Sequence, residues 1–106
     1  MGTFGFLFTY GSGIFSRAID MQRGWVVSSD YRSAIGAIKS VRETKGISQR
    51  ELARRLGKHP SFVNKTEQFE RRLDILEFVA IAKALDMNAV TLLKTILAVL
   101  PDHIEV

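Results

Sequence analysis

The stretch from residue 47 to residue 67, ISQRELARRLGKHPSFVNKTE, constrains this chain more than any other. Ser48 is a good helix N-cap, and Glu51, three residues on, can complete a capping box. Leu52, Ala53 and Leu56 then recur at helical spacing, so one face is apolar. Gly57 follows directly, where a helix C-terminus favours a residue that tolerates positive φ. Pro60 suits the first turn of a new helix, because its missing N–H has no intrahelical partner there. Phe62 and Val63 point one way, and Ser61, Asn64, Lys65 and Gln68 another. The pattern predicts two short helices, roughly 48–56 and 60–68, joined by a tight turn.

A short helix, a glycine turn and a second short helix with a polar outer face form the helix-turn-helix pattern, whose second helix lies in the DNA major groove. From residue 38 to about residue 93 the chain resembles the Xre/Cro-like family of phage and bacterial repressors. The runs SQRELARRLG (48–57), SFVNKTE (61–67), ERRLD (70–74) and AIAKALDM (80–87) carry the resemblance, in the family's order. It implies an all-α fold, a compact repressor-like domain of about five helices.

Charge and composition agree. Residues 31–72 hold eleven Lys/Arg against four Asp/Glu, whereas residues 73–106 hold two against five, so the positive field lies over the motif. A phosphate backbone is a fitting partner for such a field. At 106 residues the chain suits one domain with a small core, and without cysteine it has neither a disulfide framework nor a thiolate metal site. Enzyme readings find little support. His59 and His103 are the only histidines, with no evident third partner for a triad, and Gly11-Ser12-Gly13 lacks the outer residues of a nucleophile elbow. No metal or cofactor motif is present, so no catalytic residue, metal ligand or cofactor is expected.

Around the motif, the first helix is expected over 31–45, capped by Asp30 and ended by Gly46. Ile35, Ile38 and Val41 would face inward, and Arg32, Lys39, Arg42 and Lys45 outward. Asp74 is expected to cap a fourth helix, with Leu76, Phe78, Val79, Ile81, Ala82 and Leu85 supplying most of a core. A fifth helix runs over about 89–100 and stops at Pro101. Its stripe Val90, Leu93, Ile96, Leu97, Leu100 would close the core, leaving Leu92 and Val99 for a two-fold contact between copies. Residues 1–30 form an N-terminal extension and 101–106 a C-terminal tail around a 31–100 domain. The extension is aromatic and apolar at Phe4, Phe6, Leu7 and Phe8, turns at 11–13, and has a strand-like segment at 24–29. It lacks the basic start of a signal peptide and is too short and interrupted for a membrane span. An added element, or a leader ahead of a start at Met21, both fit.

By family position, Gln49 donates to a phosphate and supports the reading helix, while Pro60, Ser61, Asn64 and Lys65 face the groove with Gln68 at its rim. Asn pairs with adenine, and Lys reaches guanine or phosphate. Three positions depart from the family pattern: Pro60 replaces a long polar side chain, Thr66 a larger apolar one, and Phe69 a glycine. Phe62 and Val63 are expected in the core. Arg71 and Arg72 would lie beside a phosphate or pair with Glu67 or Glu70. The resemblance implies a cytoplasmic transcriptional regulator of the repressor kind that binds double-stranded operator DNA as a homodimer through its C-terminal helix. The alternatives are an antitoxin, with a toxin as partner and its own promoter as target, and a protein-interaction module that kept the fold without DNA binding.

Overall fold

Every helix of the domain begins at a residue whose side chain accepts a hydrogen bond from the first turn. In the computed structural model, which describes residues 27–106, these N-caps are Ser28, Ser48, His59, Asp74 and Asn88. They open α1 (Ser29–Thr44), α2 (Gln49–Leu56), α3 (Pro60–Glu67), α4 (Ile75–Ala84) and α5 (Ala89–Leu97). Each cap satisfies a backbone donor that the helix leaves without a partner, a contribution of about 1 kcal/mol apiece. Among the described residues there is no strand, as expected of the all-α class. The strand-like segment at 24–29 lies outside the described residues up to residue 26, and its end instead starts α1.

Several boundaries move for local reasons. Ser28, not Asp30, caps α1, because its Oγ accepts from the Tyr31 N–H at 3.0 Å. Asp30 falls in the first turn, where its charge suits the helix dipole. The capping box expected of Ser48 and Glu51 is half formed. Ser48 Oγ accepts from the Glu51 N–H at 3.0 Å, but the Glu51 carboxylate turns to Arg54 and Arg55. The complete box is at α4, where Asp74 and Glu77 exchange both bonds. Gly57 ends α2 at φ 67°, as its position predicted. Phe69, standing where the family favours glycine, adopts φ 64° after α3. That conformation costs a residue with a Cβ about 1–2 kcal/mol. The Phe69 ring packs half-buried on the core, with the Arg32 guanidinium 4.9 Å from its centroid.

The core lies where all five helices converge. Ile35 and Ile38 of α1, Leu52 and Ala53 of α2, Val63 of α3, Ile81 and Ala82 of α4, and Leu92 and Ile96 of α5 are buried together with Leu85. Val63 and Phe62 pack as expected, the latter half-buried. Two expectations for the core are corrected. Leu76 is 77 % exposed, because α4 turns it to solvent with Ile75. In α5 the buried stripe is Leu92 and Ile96, with Ala89 and Leu100 half-buried at its ends. Val90, Leu93 and Leu97 are exposed, so Leu92 is core and not a spare leucine. The apolar arc of the helix, opposite Thr91, Lys94 and Thr95, is wider than the core covers, and packing against α1 and α4 decides which part of it is buried.

Candidate nucleic-acid interface

The outer face of α3 follows directly from its spacing. Ser61, Asn64, Lys65 and Gln68 stand at i, i+3, i+4 and i+7 and are all exposed, while Val63 and Thr66 on the opposite side are buried. Pro60 is half-buried at N1, and Gln68 is the C-cap. Four of the eight residues expected to meet DNA therefore form one polar stripe. Thr66 fits its buried site by donating its hydroxyl to the Phe62 carbonyl at 2.8 Å, so the polar group is not left unpaired.

Both ends of α3 are held. At the start, Nδ1 of His59 accepts from the Ser61 N–H at 3.1 Å, which places the neutral ring's proton on Nε2. At the end, Glu67 enters a buried ion pair with Arg42. Arg42 Nε and Nη2 donate to the two carboxylate oxygens at 2.7 and 3.0 Å, and its Nη1 donates to the Ile47 carbonyl at 2.7 Å. The two side chains are only 8 % and 7 % exposed. Gln49 Nε2 joins them, donating to Glu67 Oε1 at 2.8 Å, and Asn64 Nδ2 donates to Gln49 Oε1 at 3.4 Å. One hydrogen-bonded network thus ties α1, the loop before α2, α2 and α3 together.

Sequence reasoning placed Arg42 on the outer surface, and the structure buries it. The signal was present, because Arg42 continues the inner stripe Ile35, Ile38 at i+7. Its charge hid it, since an arginine in a core stripe is read as exposed unless its partner is known. The partner, Glu67, lies 25 residues away.

In the ERRLD run, the ion-pair partner of Arg71 is neither Glu67 nor Glu70. Arg71 donates to Glu77 at 2.7 Å and to Thr66 Oγ1 at 3.2 Å, and lies 4.3 Å from the centroid of the Phe62 ring. Burial pushes the Glu77 carboxyl up, but the hydrogen bonds from Arg71 and from the Asp74 N–H outweigh it and hold the group below its usual range. Arg72 is exposed and lies 4.5 Å from the centroid of the Tyr31 ring. Arg71 thus pairs with Glu77 rather than with Glu67, which is committed to Arg42.

On α2, Glu51 sits between Arg54 at 2.6 Å and Arg55 at 2.8 Å. Their hydrogen bonds, Arg54's first, lower its pKa to about 2. Arg55 also donates to the Ala84 carbonyl at 2.8 Å, clasping α2 to the end of α4. Among the described residues no group of His, Asp and Glu is placed to hold a metal ion.

Against known proteins, a family model described as "Helix-turn-helix" matches residues 38–92. An XRE-family like protein from Pseudomonas syringae pv. tomato is similar at 34 % identity, over 82 % of this chain and 98 % of that one, with a TM-score of 0.61. The wild-type restriction-modification controller protein C.Esp1396I superposes with a TM-score of 0.63 at 24 % identity, over 68 % of this chain and 95 % of that one. The clp gene regulator ClgR from C. glutamicum does so with a TM-score of 0.62 at 18 % identity, over 73 % and 100 %. The last two likenesses are of fold alone. A search of curated proteins returned no significant match.

Proposed function

The chain belongs to the Xre-type helix-turn-helix family, and from that premise we propose that it is a sequence-specific DNA-binding transcriptional regulator whose α3 reads operator DNA in the major groove. The observation that carries this reading is the stripe Ser61, Asn64, Lys65 and Gln68, exposed on a short helix that is anchored at both ends. A helix held this way presents its polar side chains without first having to be ordered, and such preorganisation favours specific contact. Pro60 adds apolar contact, and Arg72 a positive charge beside the duplex backbone. Arg71 acts from behind, bracing Thr66 and Phe62. No helix among the described residues is long and apolar enough to cross a membrane, and the proposed place of action is the cytoplasm.

We further propose that it binds as a homodimer, through a face other than the one the sequence pattern suggested. Ile75 and Leu76 of α4 and Val90, Leu93 and Leu97 of α5 are exposed apolar side chains on two helices that pack together. A two-fold contact there would bury them and pair two reading helices for two half-sites.

The test is binding to duplex DNA between about 50 and 200 mM salt. Each neutralised phosphate adds about −0.9 to the log–log slope. Several contacts per subunit, as the basic residues of 31–72 suggest, give a steep loss of affinity across that range. A flat curve, or no binding at low salt, would leave the interaction-module reading in its place.

A further inference from the structure

The start of α3 carries a polar group that has no role so far, and the inference drawn from it rests on the DNA-binding reading above. Pro60 closes the first helical position to hydrogen bonding, since its side chain is apolar and its nitrogen has no proton. The residue before it, His59, is exposed and is the N-cap. Its Nδ1 accepts from the Ser61 N–H at 3.1 Å, and Ser61 Oγ lies 3.0 Å from the same nitrogen. A backbone N–H only donates, so Nδ1 holds a lone pair and the proton of the neutral ring is on Nε2. Nε2 lies across the ring from the cap and has no partner among the described residues. We infer that His59 is a specificity-determining residue of the DNA interface, because capping α3 with Nδ1 leaves its outward Nε2–H as a donor that selects guanine.

The side on which the ring sits follows from Ser61. Ser61 opens the exposed stripe that runs on through Asn64, Lys65 and Gln68, and the imidazole rests against it. The ring therefore extends that stripe past the proline, beyond the first turn of α3. The cap then sets its chemistry. An unconstrained neutral histidine exchanges between two tautomers and shows either a donor or an acceptor at Nε2. In His59 an acceptor at Nε2 would need the proton on Nδ1, set against the Ser61 N–H, and that helical donor would lose its cap. A ring restricted to donating meets the base edges unequally. Guanine offers two adjacent acceptors, O6 and N7. In adenine the N7 acceptor lies beside an amino donor, in thymine O4 lies beside a methyl, and cytosine shows only an amino donor. Guanine is favoured and cytosine is refused.

The experiment separates the two nitrogens with two substitutions in the full chain. Asparagine is itself a strong N-cap, but it is too short to present the outward donor. Glutamine reaches outward with its amide nitrogen, but it is not a favoured cap. Bound sites are selected from random duplexes with the parent, His59→Asn and His59→Gln, and affinities are measured for each base at the selected positions. The parent should favour guanine at one position of each half-site by about tenfold. His59→Asn should keep the parent's urea midpoint and lose that preference alone. His59→Gln should keep the preference and unfold at lower urea. His59→Asn weakening all duplexes alike, with the guanine preference intact, would assign Nε2–H to a phosphate and overturn the base reading. So would a parent that prefers another base at the position His59→Asn changes. A parent that binds no duplex at low salt overturns the DNA-binding reading itself, and the role of His59 with it. Should His59→Asn fail to fold, nitrogen-15 spectra of the parent's histidines decide. The His59 ring should carry its proton on Nε2, and the selected duplex should slow the exchange of that proton. A proton on Nδ1, or an exchange rate that the duplex leaves unchanged, would overturn the proposal.

Discussion

Helices α3 and α5 are eight and nine residues long, yet their sequences specify orientation very unequally. In α3, polar and apolar side chains separate cleanly, and only one rotation buries Val63 while leaving Asn64 and Lys65 in water. In α5, Val90, Leu92, Leu93, Ile96 and Leu97 form one apolar arc broader than the buried stripe, and the pattern alone does not say which part of that arc is buried. A helix proposed to face a charged partner must keep a polar face, so its pattern is self-evident. A helix proposed to face both a core and an apolar partner has no such requirement. The lesson is that periodicity identifies a buried face only where something polar contrasts with it.

That contrast can be broken most severely at Leu92. Leu92→Glu would place an unpaired charge at a fully buried position, and the domain should not fold, as circular dichroism would show. Leu93→Glu with Leu97→Glu changes the next face of the same helix, where both side chains are exposed. This variant should keep its helical spectrum and sediment as a monomer with weakened operator binding. A double variant that still sediments as a dimer would remove the proposed interface, and a folded Leu92→Glu would reverse the phase of α5.

The next largest effect lies at the base of α3. Glu67→Ala strands a buried guanidinium, at a cost of about 3–5 kcal/mol in urea unfolding. Glu67→Gln keeps the packing and should cost less. If Glu67→Ala unfolds at the parent's urea concentration, the pair does not hold α3.

The smallest effect is electrostatic and pH-dependent. Glu51 has its pKa lowered from 4.5 to about 2 in the folded domain by Arg54 and Arg55. A depressed carboxyl stabilises the fold above its unfolded pKa, and the contribution is lost as pH falls through the folded one. Glu51→Gln should therefore be less stable than the parent near neutral pH, with the gap closing between about pH 4.5 and pH 2. Thermal melts across that range provide the measurement, and a gap that does not change with pH would assign the effect to packing instead. Because the Glu51 side chain is only half-buried, the difference should also shrink with added salt.

Much of the fold was legible because local chemistry repeats. Ser48, Gly57, Pro60 and Asp74 punctuate the chain as their side chains and backbone preferences dictate, and the resemblance along 38–93 put the punctuation in order. The polar stripe of α3 was equally legible, residue by residue. The ion-pair partner of Arg71 was not legible, because Glu77 lies across a turn on the next helix.

By itself the sequence determined the number of helices among the described residues, the glycine turn at Gly57 and the face of α3 that meets solvent. These depend on caps, on φ preferences and on the contrast between neighbouring residues, all of which act within a few positions. Only the tertiary structure decided that Arg42 is buried, that Glu67 holds Gln49, and that Leu92 and not Leu93 enters the core. Each of those outcomes depends on what another helix presents at the same point in space. An ion pair 25 residues apart and a choice between two apolar faces of one helix are settled by packing, which local sequence does not encode.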